Sequence, residues 1–128
     1  MNAWQTDNIV WQEIGTDGTK YALLEGSREV GLFSYAFFIP AGFWDAPHWH
    51  SQEARVFVVS GALHLGYGQQ HEPDLLKVYG AGSYLLVPAN AKHFDGSFED
   101  TLIFGVAQGQ WRTHYVNPSQ TASAGTVS

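Results

Sequence analysis

Histidines at short spacing are the side chains of this chain best suited to chemistry. His48 and His50 lie in the segment GFWDAPHWH, and His93 ends the segment VPANAKH. Because side chains alternate along an extended strand, His48 and His50 project from the same face. A lone histidine in a β-protein is usually a hydrogen-bonded, partly buried residue. Three in this pattern are typical of metal ligands, so we predict that His48, His50 and His93 bind one divalent transition metal ion.

Short β-strands separated by turns must position these histidines. The segment 32–40 alternates most clearly, since Phe33, Tyr35 and Phe37 fall on one side. Gly61 marks a bend between two strands, and no segment has the period of a long amphipathic helix. Strands are predicted over residues 11–14, 21–25, 32–40, 55–60, 62–67, 75–79, 83–87, 101–106 and 110–116. This pattern predicts an all-β sandwich or small barrel.

The length and composition predict one folded domain. The chain has 128 residues, of which 45% are hydrophobic and 15% aromatic, and aromatic residues favour sheets. Residues 1–116 are predicted to form this domain. Residues 117–128 are small and polar, and are predicted to form a flexible C-terminal tail.

Charge and cysteine content exclude several classes of function. The net charge of −6 argues against binding to nucleic acid or to an anionic membrane surface. Without cysteine there is no disulfide, thiolate nucleophile or cysteine-bound zinc. The start of the chain lacks a targeting segment and no apolar run has bilayer length, so we expect a cytoplasmic protein. Neither a G-x-S-x-G sequence nor a phosphate-binding glycine-rich loop occurs.

The spacing of glycines, proline and histidines resembles that of the cupin superfamily. The first cupin motif, G-x5-H-x-H-x3/4-E-x6-G, and the second, G-x5-P-x-G-x2-H-x3-N, are matched at Gly42, His48, His50 and Gly61, and at Gly82, Pro88 and His93. The motif-bearing core covers about residues 30–116. The resemblance implies a double-stranded β-helix, or jelly-roll barrel, with a metal ion held inside it. It also implies a homodimer, since such barrels commonly pair, and outward-facing aromatic residues agree with this.

The chain departs from the cupin motifs at three positions. Ala54 stands where the first motif has its glutamate, and Glu53 lies one residue early, where a regular strand would face it away. In the second motif, Asn90 replaces a glycine and Ser97 an asparagine. Asparagine tolerates a left-handed backbone, so the first of these changes is mild. The simplest interpretation is a three-histidine site without a carboxylate ligand.

Three further residues near the histidines are candidates for catalysis. Gln52 shares the parity of His50 and could orient a ligand or substrate. Asp95 could accept an imidazole N–H or a substrate proton, or be an ordinary loop aspartate. Glu53 could hydrogen-bond a ligand or bind the metal if a bulge turned it inward; we favour a solvent-facing position. Surface positions are predicted for His64, His71, His114 and Arg112.

Three neutral ligands leave the charge of a divalent ion uncompensated, so the ion polarises a bound water or anionic oxygen strongly. We therefore predict a mononuclear metal enzyme acting on a small organic molecule. We favour a non-haem iron dioxygenase of an enolisable or aromatic substrate, although imidazole also suits Zn, Mn, Ni and Cu. A redox-neutral lyase, isomerase or cyclase that uses the ion as a Lewis acid is the second hypothesis. A non-enzymatic cupin that binds or senses a small ligand is the third.

Overall fold

Alternating short strands build two antiparallel sheets. The structure, a computed structural model, describes residues 3–13 and 16–120. The strands within these residues are β1 (Gln12–Glu13), β2 (Lys20–Glu25), β3 (Leu32–Ile39), β4 (Trp44–His50), β5 (Ala54–Ser60), β6 (Ala62–Tyr67), β7 (Lys77–Gly80), β8 (Tyr84–Val87), β9 (His93–Gly96), β10 (Thr101–Gln108) and β11 (Thr113–Tyr115). Two short 3₁₀ helices, Pro73–Leu75 and Pro118–Gln120, accompany them.

The order of the strands is that of a double-stranded β-helix. One sheet has six strands in the order β1-β2-β3-β10-β5-β8, and the other has five in the order β11-β4-β9-β6-β7. Neighbouring strands in each sheet are antiparallel and include strands distant in sequence, such as β3 with β10 and β4 with β9. The prediction of an all-β jelly-roll barrel is confirmed.

The inner faces of the two sheets form the core. In β3, Phe33 and Ile39 are almost fully buried, as the alternation of this strand predicts. Val58 of β5 and Leu63 of β6 meet them from strands on opposite sheets. Burial of these apolar side chains is the main favourable contribution to folding, and it fixes which residues face the barrel interior.

A second, smaller cluster covers part of the outer face of the six-stranded sheet. Ile9, which precedes the first strand, packs with Ala22 of β2, Ala36 of β3 and Leu102 of β10. Ala36 faces away from the barrel interior, since Phe33 and Ile39 on the other face of β3 belong to the main core. Ala22 and Leu102 share its face, because they are paired with Ala36 and Phe38 of β3. The segment before β1 therefore covers one end of this sheet.

Two tight positions beside the site elements have left-handed backbones. Gly61, between β5 and β6, has φ of +79°, and a Cβ there would lie 2.4 Å from the carbonyl oxygen of Asp100. Only glycine fits such a bend. Asn90, before β9, has φ of 65°. The bend at Gly61 and the left-handed backbone expected of Asn90 are both observed.

Several predicted strand boundaries differ from the structure. The segment 75–79 is split between the end of the 3₁₀ helix Pro73–Leu75 and β7, and the segment 110–116 is a strand only over Thr113–Tyr115. Strand β9 was not predicted, because histidine, aspartate and glycine are not typical strand residues. Pairing with β4 on one side and β6 on the other imposes the extended backbone on β9.

Some predictions fall outside the described residues. Of the strand predicted over 11–14, the structure has Gln12–Glu13, and residue 14 is not described. Residues 121–128 are likewise not described, so the flexible tail stays a prediction. The domain boundary at 116 and the cytoplasmic location also stay predictions. No helix in the described part of the chain is both long and apolar enough to span a bilayer.

Candidate metal centre

The three predicted histidines come together on two adjacent strands. His48 of β4 and His93 of β9 are paired across the sheet, and His50 lies two residues further along β4. The ring centroids of His48 and His93 are 4.3 Å apart, and that of His50 lies 5.0 Å from His48 and 5.2 Å from His93. One nitrogen from each ring lies within 4.8 Å of the other two. This spacing lets three imidazoles bind one ion.

Backbone carbonyls determine which ring nitrogen carries the hydrogen in two of these histidines. The Nδ1 of His48 lies 2.6 Å from the carbonyl oxygen of Ala46, and the Nδ1 of His93 lies 2.9 Å from that of Ala91. A carbonyl only accepts, so in each pair Nδ1 carries the hydrogen and donates it. The Nε2 of each ring then keeps its lone pair for a metal ion, which is the usual arrangement of histidine ligands.

His50 is held by a side chain and by an aromatic ring. Its Nδ1 lies 2.8 Å from the hydroxyl oxygen of Thr113 in β11. The indole of Trp111 stacks on the imidazole, with ring centroids 4.4 Å apart and an interplanar angle of 24°. Trp111 is itself buried, at 5% exposure. The ring of His50 is therefore fixed from two directions.

Burial keeps two of the imidazoles neutral. Loss of solvent, together with the neighbouring His48, lowers the pKa of His93 to about 4, against the opposing effect of Asp95. Burial also lowers the pKa of His50 well below its ordinary value, and the neighbouring histidines add to this. Since a metal ion binds only the unprotonated ring, both rings are ready to bind at neutral pH.

The buried carboxyl group of Asp45 also faces these histidines, although strict alternation along the strand would place it on the opposite side. Asp45 lies three residues before His48, which in a regular strand puts the two side chains on opposite faces. Strand β9 pairs Asp95 with Asp45 and His93 with His48, so β4 has one residue more than β9 between these pairs. This β-bulge turns Asp45 inward.

The sequence contains a signal for this bulge. Pro47 lies in the part of β4 that contains the additional residue. Proline has no N–H to donate, so within a sheet it is confined to edges, strand starts and bulges. A strand that contains Pro47 between His48 and Asp45 therefore favours an irregularity there. Strict alternation across this proline would place Asp45 on the outer face, so the sequence pattern alone does not identify it as a site residue.

Asp45 is arranged to exchange a proton. Its Oδ1 accepts a hydrogen bond of 2.8 Å from the hydroxyl of Tyr115, and its Oδ2 lies 3.7 Å from the Nδ1 of His48. That nitrogen is much closer to its backbone carbonyl, so the contact with Asp45 is electrostatic. Burial and, to a smaller degree, the nearby Asp95 raise the pKa of Asp45 to about 6, against the opposing effects of His48 and Tyr115. A carboxyl group with a pKa near the working pH is suited to acid–base catalysis.

The histidines and both aspartates line one cavity in the barrel. It has a volume of about 90 Å³, and since roughly 10–15 Å³ holds one water, it can hold several waters or a small organic molecule. Apolar and aromatic residues form the rest of its wall, including Tyr35 and Phe37 of β3. Ala54, at the position of the motif glutamate, also lines the cavity and presents only a methyl group.

Two of the predicted catalytic residues lie elsewhere. Ala54 begins β5 facing inward, so Glu53 and Arg55 face outward and form an ion pair of 3.0 Å, each about half exposed. This is the solvent-facing position that the sequence favoured, and Glu53 is not among the described residues that line the cavity. Gln52 follows the end of β4 and is partly buried, but it is not one of the described residues that line the cavity. Asp95, in contrast, does line it.

The other candidate polar residues also lie outside the cavity wall. Arg112 forms a two-pronged ion pair with Glu29, with both nitrogen–oxygen distances 2.9 Å. His114 stacks on Trp49, and neither ring is among the described residues that line the cavity. Within the described residues, the cavity-lining set does not include His64 or His71.

Solved structures similar to this chain share its fold. The polyketide cyclase RemF from Streptomyces resistomycificus is 17% identical, with a TM-score of 0.74 over 100% of this chain and 94% of that one. A proposed acetylacetone dioxygenase from Methylibium petroleiphilum is 22% identical, with a TM-score of 0.69 over 94% of this chain and 84% of that one. At these identities the likeness shows the fold alone.

A third similar structure is the complex of SigE with the anti-sigma ChrR from Rhodobacter sphaeroides. The match is 18% identical, with a TM-score of 0.63, and covers 81% of this chain and 51% of that one. Comparison with curated proteins gives no match.

The sequence itself assigns the family. The family model described as the ChrR cupin-like domain matches residues 1–112, which include both histidine segments. The expected resemblance to cupins is thus confirmed, and the chain belongs to the ChrR cupin-like family of the cupin superfamily.

Proposed function

We propose that this protein is a metal-dependent enzyme that converts a small organic molecule. The observation that supports this most is the meeting of His48, His50 and His93 at the wall of the barrel cavity. Their Nδ1 atoms have hydrogen-bond partners, so one nitrogen of each ring can bind an ion. A structural metal site would not need the cavity or the ionisable groups beside it.

We infer iron as the ion and oxygenation of an enolisable or aromatic substrate as the reaction. When bound, iron would supply Lewis acidity and a redox couple for reaction with dioxygen. The three neutral histidines would hold it. A set of three protein ligands leaves positions free for substrate, which is a requirement of catalytic rather than structural sites.

Asp45 would take the proton that such a substrate must lose. Its carboxyl group is buried within the same cavity wall as the histidines, and the Tyr115 hydroxyl orients it. Its raised pKa makes it a stronger base than an exposed aspartate. Asp95 would keep that pKa high by its charge. Apolar residues such as Phe37 and Ile39 would exclude water from the acid–base step.

The similar structures favour three different activities. The proposed acetylacetone dioxygenase is named for an enolisable diketone, which supports the oxygenation hypothesis. RemF is a polyketide cyclase and is matched over this whole chain, which supports a redox-neutral reaction as the second candidate. The family match to ChrR, an anti-sigma protein, supports a ligand-binding or sensing role as the third. Fold similarity alone does not decide among them.

Metal content and oxygen consumption separate these candidates. The purified protein is analysed by plasma mass spectrometry, stripped, and reloaded with Fe²⁺ or Zn²⁺. Oxygen uptake with acetylacetone and catechol is then measured, alongside product analysis. Oxygen uptake by the iron-loaded protein, and not by the zinc-loaded protein, supports the dioxygenase. Conversion with zinc and without oxygen uptake contradicts it in favour of the redox-neutral reaction, and absence of metal binding contradicts both.

We also propose a homodimer, formed through the outer face of the six-stranded sheet. Phe57, Tyr84, Leu86 and Val106 are each more than a third exposed there, and they lie on the adjacent strands β8, β5 and β10. A contiguous apolar patch on a sheet is typical of a protein interface. Light scattering on the native protein and on the Phe57→Lys variant tests this. A dimer that Phe57→Lys converts to a monomer is expected, and a monomeric native protein would contradict the proposal.

A further inference from the structure

Arg28 brings a permanent positive charge to the cavity. It lies in the turn between β2 and β3 and lines the cavity together with the histidine site. Of the described residues, it is the one lysine or arginine among those that line this cavity, and no carboxylate lies within ion-pair distance of it. Its neighbour Glu29 pairs with Arg112 instead. An arginine without a carboxylate partner at a cavity wall is available to a ligand.

Tyr21 provides a second, independent sign of a missing partner at the same place. Its side chain is 5% exposed and lines the cavity, and its buried hydroxyl makes no hydrogen bond. A buried polar group without a partner costs roughly 1–3 kcal/mol, and such groups are rare in folded proteins. The guanidinium of Arg28 lies 5.1 Å from the centre of the Tyr21 ring. The arginine therefore lies close to the side chain whose hydroxyl has no hydrogen-bond partner.

Aromatic rings connect this pair of donors with the histidines. Tyr35 stacks on Tyr21 at 5.9 Å between ring centroids, and Trp111 follows at 6.5 Å from Tyr35. Trp111 in turn stacks on His50. Two flat apolar rings thus separate the donors from the candidate metal centre, along one continuous wall of the cavity. Such a wall suits an elongated, partly aromatic or unsaturated molecule.

We propose that Arg28 and Tyr21 bind the carboxylate of a small organic acid whose other end reaches His48, His50 and His93. This inference rests on the proposed function and names its substrate class: an enolisable or aromatic carboxylic acid. The guanidinium and the phenol hydroxyl both donate hydrogen bonds, and a carboxylate accepts both.

Charge balance in the cavity agrees with this assignment. Asp45 and Asp95 line the same space, so an anionic ligand would be repelled without a nearby positive charge. Arg28 supplies that charge at the end where the ligand carboxylate would sit. The burial that raises the pKa of Tyr21 keeps its hydroxyl protonated and able to donate.

Paired probes that differ only in a carboxylate test the proposal. Iron(III)-loaded protein is titrated with 3,4-dihydroxyphenylacetate and with 4-methylcatechol, whose catechol groups are alike. The variants are Arg28→Gln, Tyr21→Phe and, as a control, Lys77→Gln, which removes a positive charge from an exposed position of β7 that is not among the described cavity-lining residues. We expect the acid to bind roughly 10- to 100-fold more tightly than 4-methylcatechol to the native protein.

The variants then show which residues cause the tighter binding of the acid. Arg28→Gln should abolish it without changing the affinity for 4-methylcatechol, Tyr21→Phe should reduce it about two- to tenfold, and Lys77→Gln should leave it intact. No preference for the acid in the native protein, or a preference that persists in Arg28→Gln, overturns the proposal.

A metal-free arm distinguishes failure of the carboxylate site from failure of the proposed function. Phenylacetate is titrated into metal-free native protein and metal-free Arg28→Gln by calorimetry. If the protein binds no iron, the proposed function fails, and this arm alone decides on the carboxylate site. Tighter binding of phenylacetate to the native protein than to Arg28→Gln supports the site, and equal binding overturns it.

Discussion

His48 and His93 are directly opposite each other on antiparallel strands, and their imidazole centroids are 4.3 Å apart. Each ring donates its Nδ1 hydrogen to the carbonyl two residues earlier in its own strand segment, that of Ala46 or Ala91. The same local device therefore orients two rings that come from distant parts of the chain.

Replacement of His48 or His93 by alanine should remove most of the bound metal. The loss should exceed the roughly 10- to 100-fold that disruption of an outer hydrogen-bond partner produces, because a ligand itself is removed. Metal per chain is measured by plasma mass spectrometry after dialysis. His71→Ala, which removes a histidine outside the cavity-lining set, is the matched control. Full metal retention by His48→Ala would contradict the ligand assignment.

Asp45→Asn should block proton transfer while leaving the metal in place. The amide keeps the shape of the side chain and can still meet the Tyr115 hydroxyl, but it cannot accept a proton from substrate. We expect turnover of acetylacetone by the metal-loaded protein to fall roughly 10²- to 10⁴-fold. Asp74→Asn, in an exposed segment, is the control. Native turnover by Asp45→Asn would exclude Asp45 as the base.

Ala54→Glu should restore the carboxylate that the cupin motif has at this position. Ala54 is 3% exposed and faces the cavity, so the new side chain is directed to the histidines. Without metal, a buried carboxylate should destabilise the fold. With Zn²⁺ bound, it should gain a partner and the melting temperature should rise more than in the native protein. Ala54→Gln has the same size without charge, and an equal response of both variants to zinc would refute this expectation.

Gly105→Ala should disturb the cavity wall. A Cβ at this position of β10 would lie 2.2 Å from Cζ of Tyr35, a ring that the rest of the wall holds in place. Overpacking of this kind costs about 1–3 kcal/mol of unfolding free energy, which urea denaturation measures. Gly80→Ala is the control, because its Cβ would meet no atom within 4 Å. An equal loss of unfolding free energy in both variants would contradict this prediction and would mean that the Tyr35 ring can move aside.

The metal-free protein should lose stability as the pH falls below about 6.5. The pKa of His93 is about 4 in the folded protein, against about 6.5 in an unfolded chain. Between these values the unfolded chain binds more protons, so stability decreases as the pH falls through the window, by about 3 kcal/mol in total for this residue. Asp45, whose pKa is raised, offsets part of the effect.

Denaturation at pH 7 and pH 4.5 measures this dependence on the stripped protein. His93→Gln lacks the titrating group, so it should lose less stability between the two pH values than the native protein. An equal loss in both proteins would show that His93 does not carry the effect. Zinc-loaded protein should be protected at pH 7, since the ion binds the folded state only.

The barrel and its three histidines were predictable, because each depends on a local rule. Strand alternation places His48 and His50 on one face, and the motif spacing relates them to His93. Alternation also fixes the outward direction of Glu53 once Ala54 is buried. These relationships need no knowledge of which strands become neighbours.

The remaining parts of the site depend on tertiary pairing. Asp45 enters the cavity through a bulge that is defined by the register between β4 and β9, which strict alternation does not describe. Arg28 and Tyr21 lie far from the histidines in sequence, and only the curvature of the six-stranded sheet brings them to the same cavity. Strand β9 was missed for a similar reason, since its pairing overrides its weak intrinsic preference.

The cover that Ile9 provides over one end of the six-stranded sheet limits how copies of the chain can associate. Because residues before β1 already cover that end, a second copy of the chain has access to the exposed apolar side chains around Phe57 and Tyr84 on the other half of this face. When two molecules associate through these side chains, each buries the surface of the other. The same surface is then not available to a third molecule, so assembly ends at a closed twofold dimer instead of continuing into fibres.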